Sequence, residues 1–182
     1  MAGRSGKGSQ YERAFCKRLS LWWTGGKRDD VFWRSQASGA RATQRRKTDK
    51  DTFGQSGDVQ ACDPIGQPLM DVITIELKKG YNNCHPMEPL LTNKKMTTIE
   101  KFINQAKTQQ TGWSWMLVHK ADRMNEIMYV PAYLATAMFS FSKKRPERYS
   151  IIQLGAFKTY AIPFDFFLTL PPKKLPLLLQ GV

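Results

Sequence analysis

Met70-Asp71-Val72-Ile73-Thr74-Ile75-Glu76-Leu77-Lys78 is the stretch on which the reading of this chain turns. It is rich in Val, Ile and Thr, which fit a pleated, half-buried surface, so a strand is expected from Met70 to Lys78. Side chains alternate across a strand, which sets Glu76 and Lys78 on one face and turns Ile73, Ile75 and Leu77 to the other, into a core. A carboxylate and an ammonium then share a face. Asp71 has the opposite parity and is expected to point away from Glu76.

Upstream, Asp58 to Cys62 reads as a second strand, and Asp63-Pro64-Ile65-Gly66-Gln67 carries turn chemistry, so the two strands are expected to form a hairpin. A register that brings Asp58 opposite Glu76 makes two carboxylates converge at a spacing suited to one or two hard divalent cations. Such an ion holds a phosphate and lowers the pKa of a bound water. Lys78, a compact cation, suits neutralising charge on the phosphate or orienting the attacking water. Asp63 reads as a turn residue, and Asp49 and Asp51 belong to a basic loop.

The remaining pattern is that of a single α/β domain, a central mixed sheet flanked by helices. Tyr11, Phe15, Leu19 and Trp22 recur at helical spacing, predicting a helix from Ser9 to Trp23 with Ser9 and Glu12 as a capping box. Val31 to Arg34 is a short strand, and the segment from Ser35 to Gly57 turns polar and basic, a length of loop that is usually functional. A helix is expected from Thr97 to Thr111, with Ile99, Phe102, Ile103 and Ala106 as its apolar stripe. Strands at Trp113 to His119 and Glu126 to Val130 lead into a short helix, Ala132 to Phe139. From Tyr149 onward the pattern suggests a last strand or hairpin and a short apolar helix. The expected core spans about residues 8–140, with 1–8 a flexible lead-in and 171–182 a proline-punctuated tail that packs back or meets a partner. Trp22, Trp23, Trp113 and Trp115 read as packing residues rather than base-stacking platforms.

Charge narrows the partners. The 182 residues include 28 Lys and Arg against 15 Asp and Glu, a net charge of +13 that favours a polyanion, with nucleic acid first. Arg41, Arg45, Arg46, Lys47 and Lys50 cluster in the basic loop, and Lys143, Lys144, Arg145 and Arg148 form a second group. Arg34, Arg41, Arg45 and Arg46 are placed to grip phosphates, giving affinity that falls steeply with salt. Cys16, Cys62 and Cys84 lack CxxC spacing, which argues against a disulfide framework or a structural zinc site. No apolar window approaches a membrane span, and the N-terminus lacks a secretory core, so a cytoplasmic protein is expected.

Gly57-Asp58 followed by Ile75-Glu76-Leu77-Lys78 resembles the metal-binding core of the PD-(D/E)xK nucleases, and the order of elements is similar to that superfamily's restriction-endonuclease-like core. The resemblance implies DNA phosphodiester hydrolysis with Mg2+, or Mn2+ in its place, Asp58 and Glu76 as ligands, and Lys78 as the catalytic cation. Glu12 stands where some members carry a further acidic ligand, while the capping-box reading of it stays open. Gly8-x-x-x-Glu12-Arg13, Arg34, Ser38-Gly39 and Gln105 are similar to positions in archaeal-type Holliday-junction resolvases, which implies DNA contacts at Arg34, Ser38 and Gln105, branched DNA as substrate and a homodimer. Gln105 could position a water or contact a phosphate, or lie on a solvated face. Two departures stand out: Gly57 occupies the place of the superfamily's Pro, and the basic connection before it is long. The alternatives are a non-catalytic basic nucleic-acid-binding protein, and a nuclease acting on ordinary duplex or single-stranded DNA.

Overall fold

Residues 5–35, 57–84, 87–93, 95–142, 145–154 and 157–179 are described by the computed structural model. Helix α1 (Ser5–Trp23) buries Phe15, Cys16 and Leu19 along one side. It begins before Ser9, so part of the expected lead-in is helical and Ser9 is not an N-cap. The reason lies in what the two capping-box side chains touch. Ser9 Oγ accepts hydrogen bonds from Arg13 Nη1 at 2.7 Å and Arg34 Nη1 at 2.8 Å, and Glu12 pairs with Arg34.

Strand β1 (Phe32–Arg34) pairs antiparallel with β2 (Val59–Ala61), Arg34 standing opposite Val59. The fully buried Ser20 ties α1 to β1, since its Oγ donates to Cys16 O at 2.8 Å and accepts from Phe32 N at 2.9 Å.

The expected hairpin between the Asp58 and Glu76 segments does not form. Pro64–Gly66 makes a 3-10 turn capped by Asp63, whose Oδ1 accepts from Ile65 N at 3.0 Å. Helix α2 (Gln67–Val72) then takes up Met70, Asp71 and Val72, so β3 (Ile73–Lys79) begins later than its composition suggests. Pro64 and Pro68 sit in first-turn positions, where a fixed φ favours a helix and the missing N–H costs nothing. Asp71 is therefore an exposed helix residue, accepting from Gln67 Nε2 at 2.7 Å, and its separation from Glu76 does not come from strand parity.

Beyond the short α3 (Glu88–Leu91), helix α4 (Thr98–Gln109) starts at a full capping box between Thr97 and Glu100. Strand β4 (Ser114–Lys120) runs parallel to β3, Glu76 opposite Leu117, with α4 as the crossover that parallel neighbours require. Then follow β5 (Ile127–Pro131), α5 (Ala132–Phe141), the hairpin of β6 (Ser150–Leu154) and β7 (Phe157–Pro163), α6 (Phe164–Phe167) and α7 (Lys174–Leu179). The main sheet has the order β3-β4-β5-β7-β6 and is antiparallel after its first pair. This is the single α/β domain with a mixed sheet that the sequence predicts.

Strand alternation divides the core in two. Ile73, Ile75, Leu77, Met116, Val118, Met128 and Val130 pack with α1, α5 and α6, while Trp115, Leu117 and Tyr129 pack with Ile99, Ile103 and Ala106 of α4. Leu175 of α7 belongs to the first cluster, so the tail packs back on the body. Trp23 Nε1 donates to Ile65 O at 2.8 Å and Trp22 Nε1 to Leu170 O at 3.0 Å; both are packing residues, as is the buried Trp115. The three cysteines are free thiols. No described helix is long and apolar enough to cross a membrane.

Candidate active site

The site forms where the two sheets meet, at the edge strand β3. Glu76 and Lys78 lie on the face of β3 that looks towards α4, as their parity demands. Lys78 Nζ donates to Glu76 Oε1 at 2.5 Å, and Gln105 Nε2, reaching down from α4, donates to the same oxygen at 2.6 Å. Gln105 thus does not lie on a merely solvated face. Phe102, one turn earlier on α4, places its ring 5.4 Å from Lys78 Nζ.

Asp58 reaches this point without a strand ladder. Its N–H donates to Ile75 O at 2.8 Å, its C=O accepts from Ser35 N at 2.9 Å, and its Oδ2 accepts from Leu77 N at 2.8 Å. Backbone bonds to β3 and to the end of β1 therefore fix its position, and the side chain is bonded beside Glu76. Convergence of the two carboxylates holds, though the expected hairpin does not produce it.

Their electrostatics follow from that convergence. Asp58 is 7% exposed and Glu76 2%. Burial, and then repulsion from Asp58, pushes the Glu76 carboxyl up to about 7 against the pull of Lys78. Burial also raises Asp58, with the Leu77 N–H opposing. Glu12 is raised by burial and by Asp58, so it lies within electrostatic reach of the pair. Arg34 Nε stands 3.0 Å from Glu12 Oε2, an ion pair that opposes the rise of the Glu12 carboxyl.

Two buried carboxylates with raised pKa values fit a hard divalent cation, since each is costly to ionise there without one. Glu12 does not complete a cage: among the described residues, no group of three or more His, Cys, Asp or Glu side chains is placed to hold a metal ion. His119 is also separate, its Nε2 lying 2.8 Å from Gly80 O.

A family model described as "Phage putative PDDEXK endonuclease" matches residues 3–175. The chain belongs to that family. No curated protein and no solved structure matches it. The PDDEXK assignment agrees with the sheet and helix order above, and PDDEXK nucleases generally use divalent metal ions.

In this PDDEXK chain the glycine before Asp58 has a structural cause. Gly57 has φ 76°, and a Cβ there would stand 2.6 Å from Ile75 O. Proline, locked near −65°, could not adopt that φ, and any side chain would push the Asp58 segment off β3.

Of the residues expected to contact DNA, Arg34 lies beside Glu12 at the site and Gln105 lies on Glu76. Ser38, Arg41, Arg45, Arg46 and Lys47, with Lys143 and Lys144 of the second basic group, lie outside the described residues. Lys107, on the same helix as Gln105, turns to the Phe157 ring instead. The sequence reading missed a cluster on the other side of the sheet, in which Arg18 pairs with Glu126 while stacking over Phe15 and Phe164. The only trace of it in sequence is a basic residue on the otherwise apolar side of α1.

Proposed function

We propose that this chain is a magnesium-dependent DNA endonuclease, with manganese able to substitute, in which Asp58 and Glu76 hold the cation and Lys78 is the catalytic cation. The observation that carries the reading is the bonded convergence of Asp58, Glu76 and Lys78 at one buried point. A bound divalent ion would supply Lewis acidity at the phosphate and a water acidified for attack.

The protein's own groups do the rest. Lys78 and Gln105 both donate to Glu76 Oε1, which fixes the carboxylate's orientation and leaves the Lys78 ammonium beside the position of the scissile phosphate. Asp58 is held by three hydrogen bonds, so little reorganisation is needed at the moment of reaction. Arg34 is a described arginine suited to a flanking phosphate, and Glu12 is the acid paired with it. The net charge of +13 supplies the sequence-independent attraction to DNA.

Branched DNA, cut symmetrically by two copies of the chain, is the substrate we favour. Its support is the resemblance carried by Glu12, Arg34 and Gln105, and the position of all three at the site agrees with it. The test is cleavage of labelled duplex, single-stranded and four-way-junction DNA with magnesium or EDTA, beside a Glu76→Ala control. Magnesium-dependent cutting that falls at least about 100-fold in the control supports the reading. Tight binding without cutting under any divalent metal would make this a non-catalytic basic binder.

A further inference from the structure

The turn after β3 holds an aromatic ring out in solvent. Tyr81 is 56% exposed, and its φ of 55° lies in the left-handed region that bulky residues avoid. The turn cannot relax, because it is pinned on every side. Gly80 N donates to Lys120 O at 2.9 Å, Cys84 N donates to Tyr81 O at 2.8 Å, and Asn82 Oδ1 accepts from Asp122 N at 2.9 Å. His119 Nε2 lies against Gly80 O from below.

The ring's place is equally defined. It meets Phe102 edge-on, centroids 4.8 Å apart and planes at 72°, and Phe102 is the ring beside Lys78 Nζ. One aromatic ring therefore separates an exposed, strained tyrosine from the amine that faces Glu76. Asn or Gly would make this turn without strain, so the aromatic side chain is kept at a cost to the backbone. Strained backbone persists where surrounding structure over-determines it, and it gathers at ligand-contact positions.

We propose that Tyr81 is a stacking platform for an unpaired nucleobase beside the scissile phosphate, so that the site favours DNA with a nucleotide outside the helical stack. This rests on the nuclease reading above. A base presents a π face whatever its identity, so the preference is structural and not sequence-specific. A ring already fixed by its turn loses little freedom on contact, which makes it an economical anchor.

The test uses DNA carrying the fluorescent adenine analogue 2-aminopurine, once in a single-nucleotide bulge and once in a fully paired duplex. Glu76→Gln protein keeps the DNA intact. Into it go Tyr81→Asn, which tolerates positive φ and keeps the turn, and Tyr81→Phe, which keeps the ring. Binding should quench the bulged base. Tyr81→Asn should bind bulged DNA about 5- to 150-fold more weakly, while Tyr81→Phe stays within about twofold of the parent. An unquenched bulged base, or unchanged affinity in Tyr81→Asn, overturns the proposal. Wild-type cleavage with magnesium is run beside it. Equal cutting of both DNAs removes the role of Tyr81 and leaves the nuclease standing, whereas neither binding nor cutting removes both.

Discussion

Replacing Glu76 by Gln is expected to stabilise the metal-free protein, and to do so chiefly above pH 7. Burial holds the Glu76 carboxyl near 7 in the folded chain against an ordinary value of 4.5. Below the ordinary value both folded and unfolded chains are protonated, and nothing is lost. As the pH rises from there, the unfolded chain ionises freely while the folded one resists, so stability drains away until the pH passes about 7 and then levels off. The gap of about 2.5 pH units corresponds to about 3 kcal/mol. Gln cannot ionise, and its Oε1 still accepts from Lys78 Nζ and Gln105 Nε2. For a chain of this length, about 3 kcal/mol shifts Tm by roughly 6–12 °C. Thermal melts in EDTA should show that gain for Glu76→Gln at pH 8, shrinking to about a quarter of it at pH 5. A variant that melts no higher than the parent at pH 8 would refute the reasoning, because the buried carboxylate would then carry no strain for a cation to relieve.

Divalent-cation affinity, read by calorimetry, should rise about tenfold per pH unit below 7 and flatten above it, since Glu76 must shed its proton before it can ligate. Gly57→Ala should lower Tm clearly and, in the protein that remains folded, cut cleavage about 100-fold, because its Cβ meets Ile75 O and displaces Asp58; unchanged kinetics would contradict this. Ser20→Ala should cost about 1–3 kcal/mol in denaturant titration by stranding the buried Phe32 N–H, with cation affinity preserved in the protein that remains folded.

The shared face of Glu76 and Lys78 was legible because strand parity is a local rule that applies once 73–78 is extended. The helical stripe of Ile99, Phe102, Ile103 and Ala106 was legible for the same reason, as was the run of strands that follows. Local rules failed where partners lie far apart in sequence. Val72 and Met70 have strand-forming bulk, yet two prolines set short helices before β3, and the bond that delivers Asp58 runs from a loop to the middle of a distant strand. Ser9 and Glu12 spell a capping box, but their true partner, Arg34, comes from another element. Tyr81 gave no signal, because neither its φ nor its exposure can be read from the residues around it.

Helix α1 is fastened both to its near neighbour β1 and to parts of the chain that come much later. Trp22 bonds Leu170 across 148 residues, Arg18 bonds Glu126 across 108, and Phe15 stacks near Phe164. Such distant closures are slow and late in folding. Glu12 and Arg34 lie on this helix and on the strand it supports, so the flank of the site that they form is braced by contacts with residues 126–170. Substitutions at Glu126 or Phe164 would accordingly be felt at Glu12 through the seating of one helix, with no contact to the site itself.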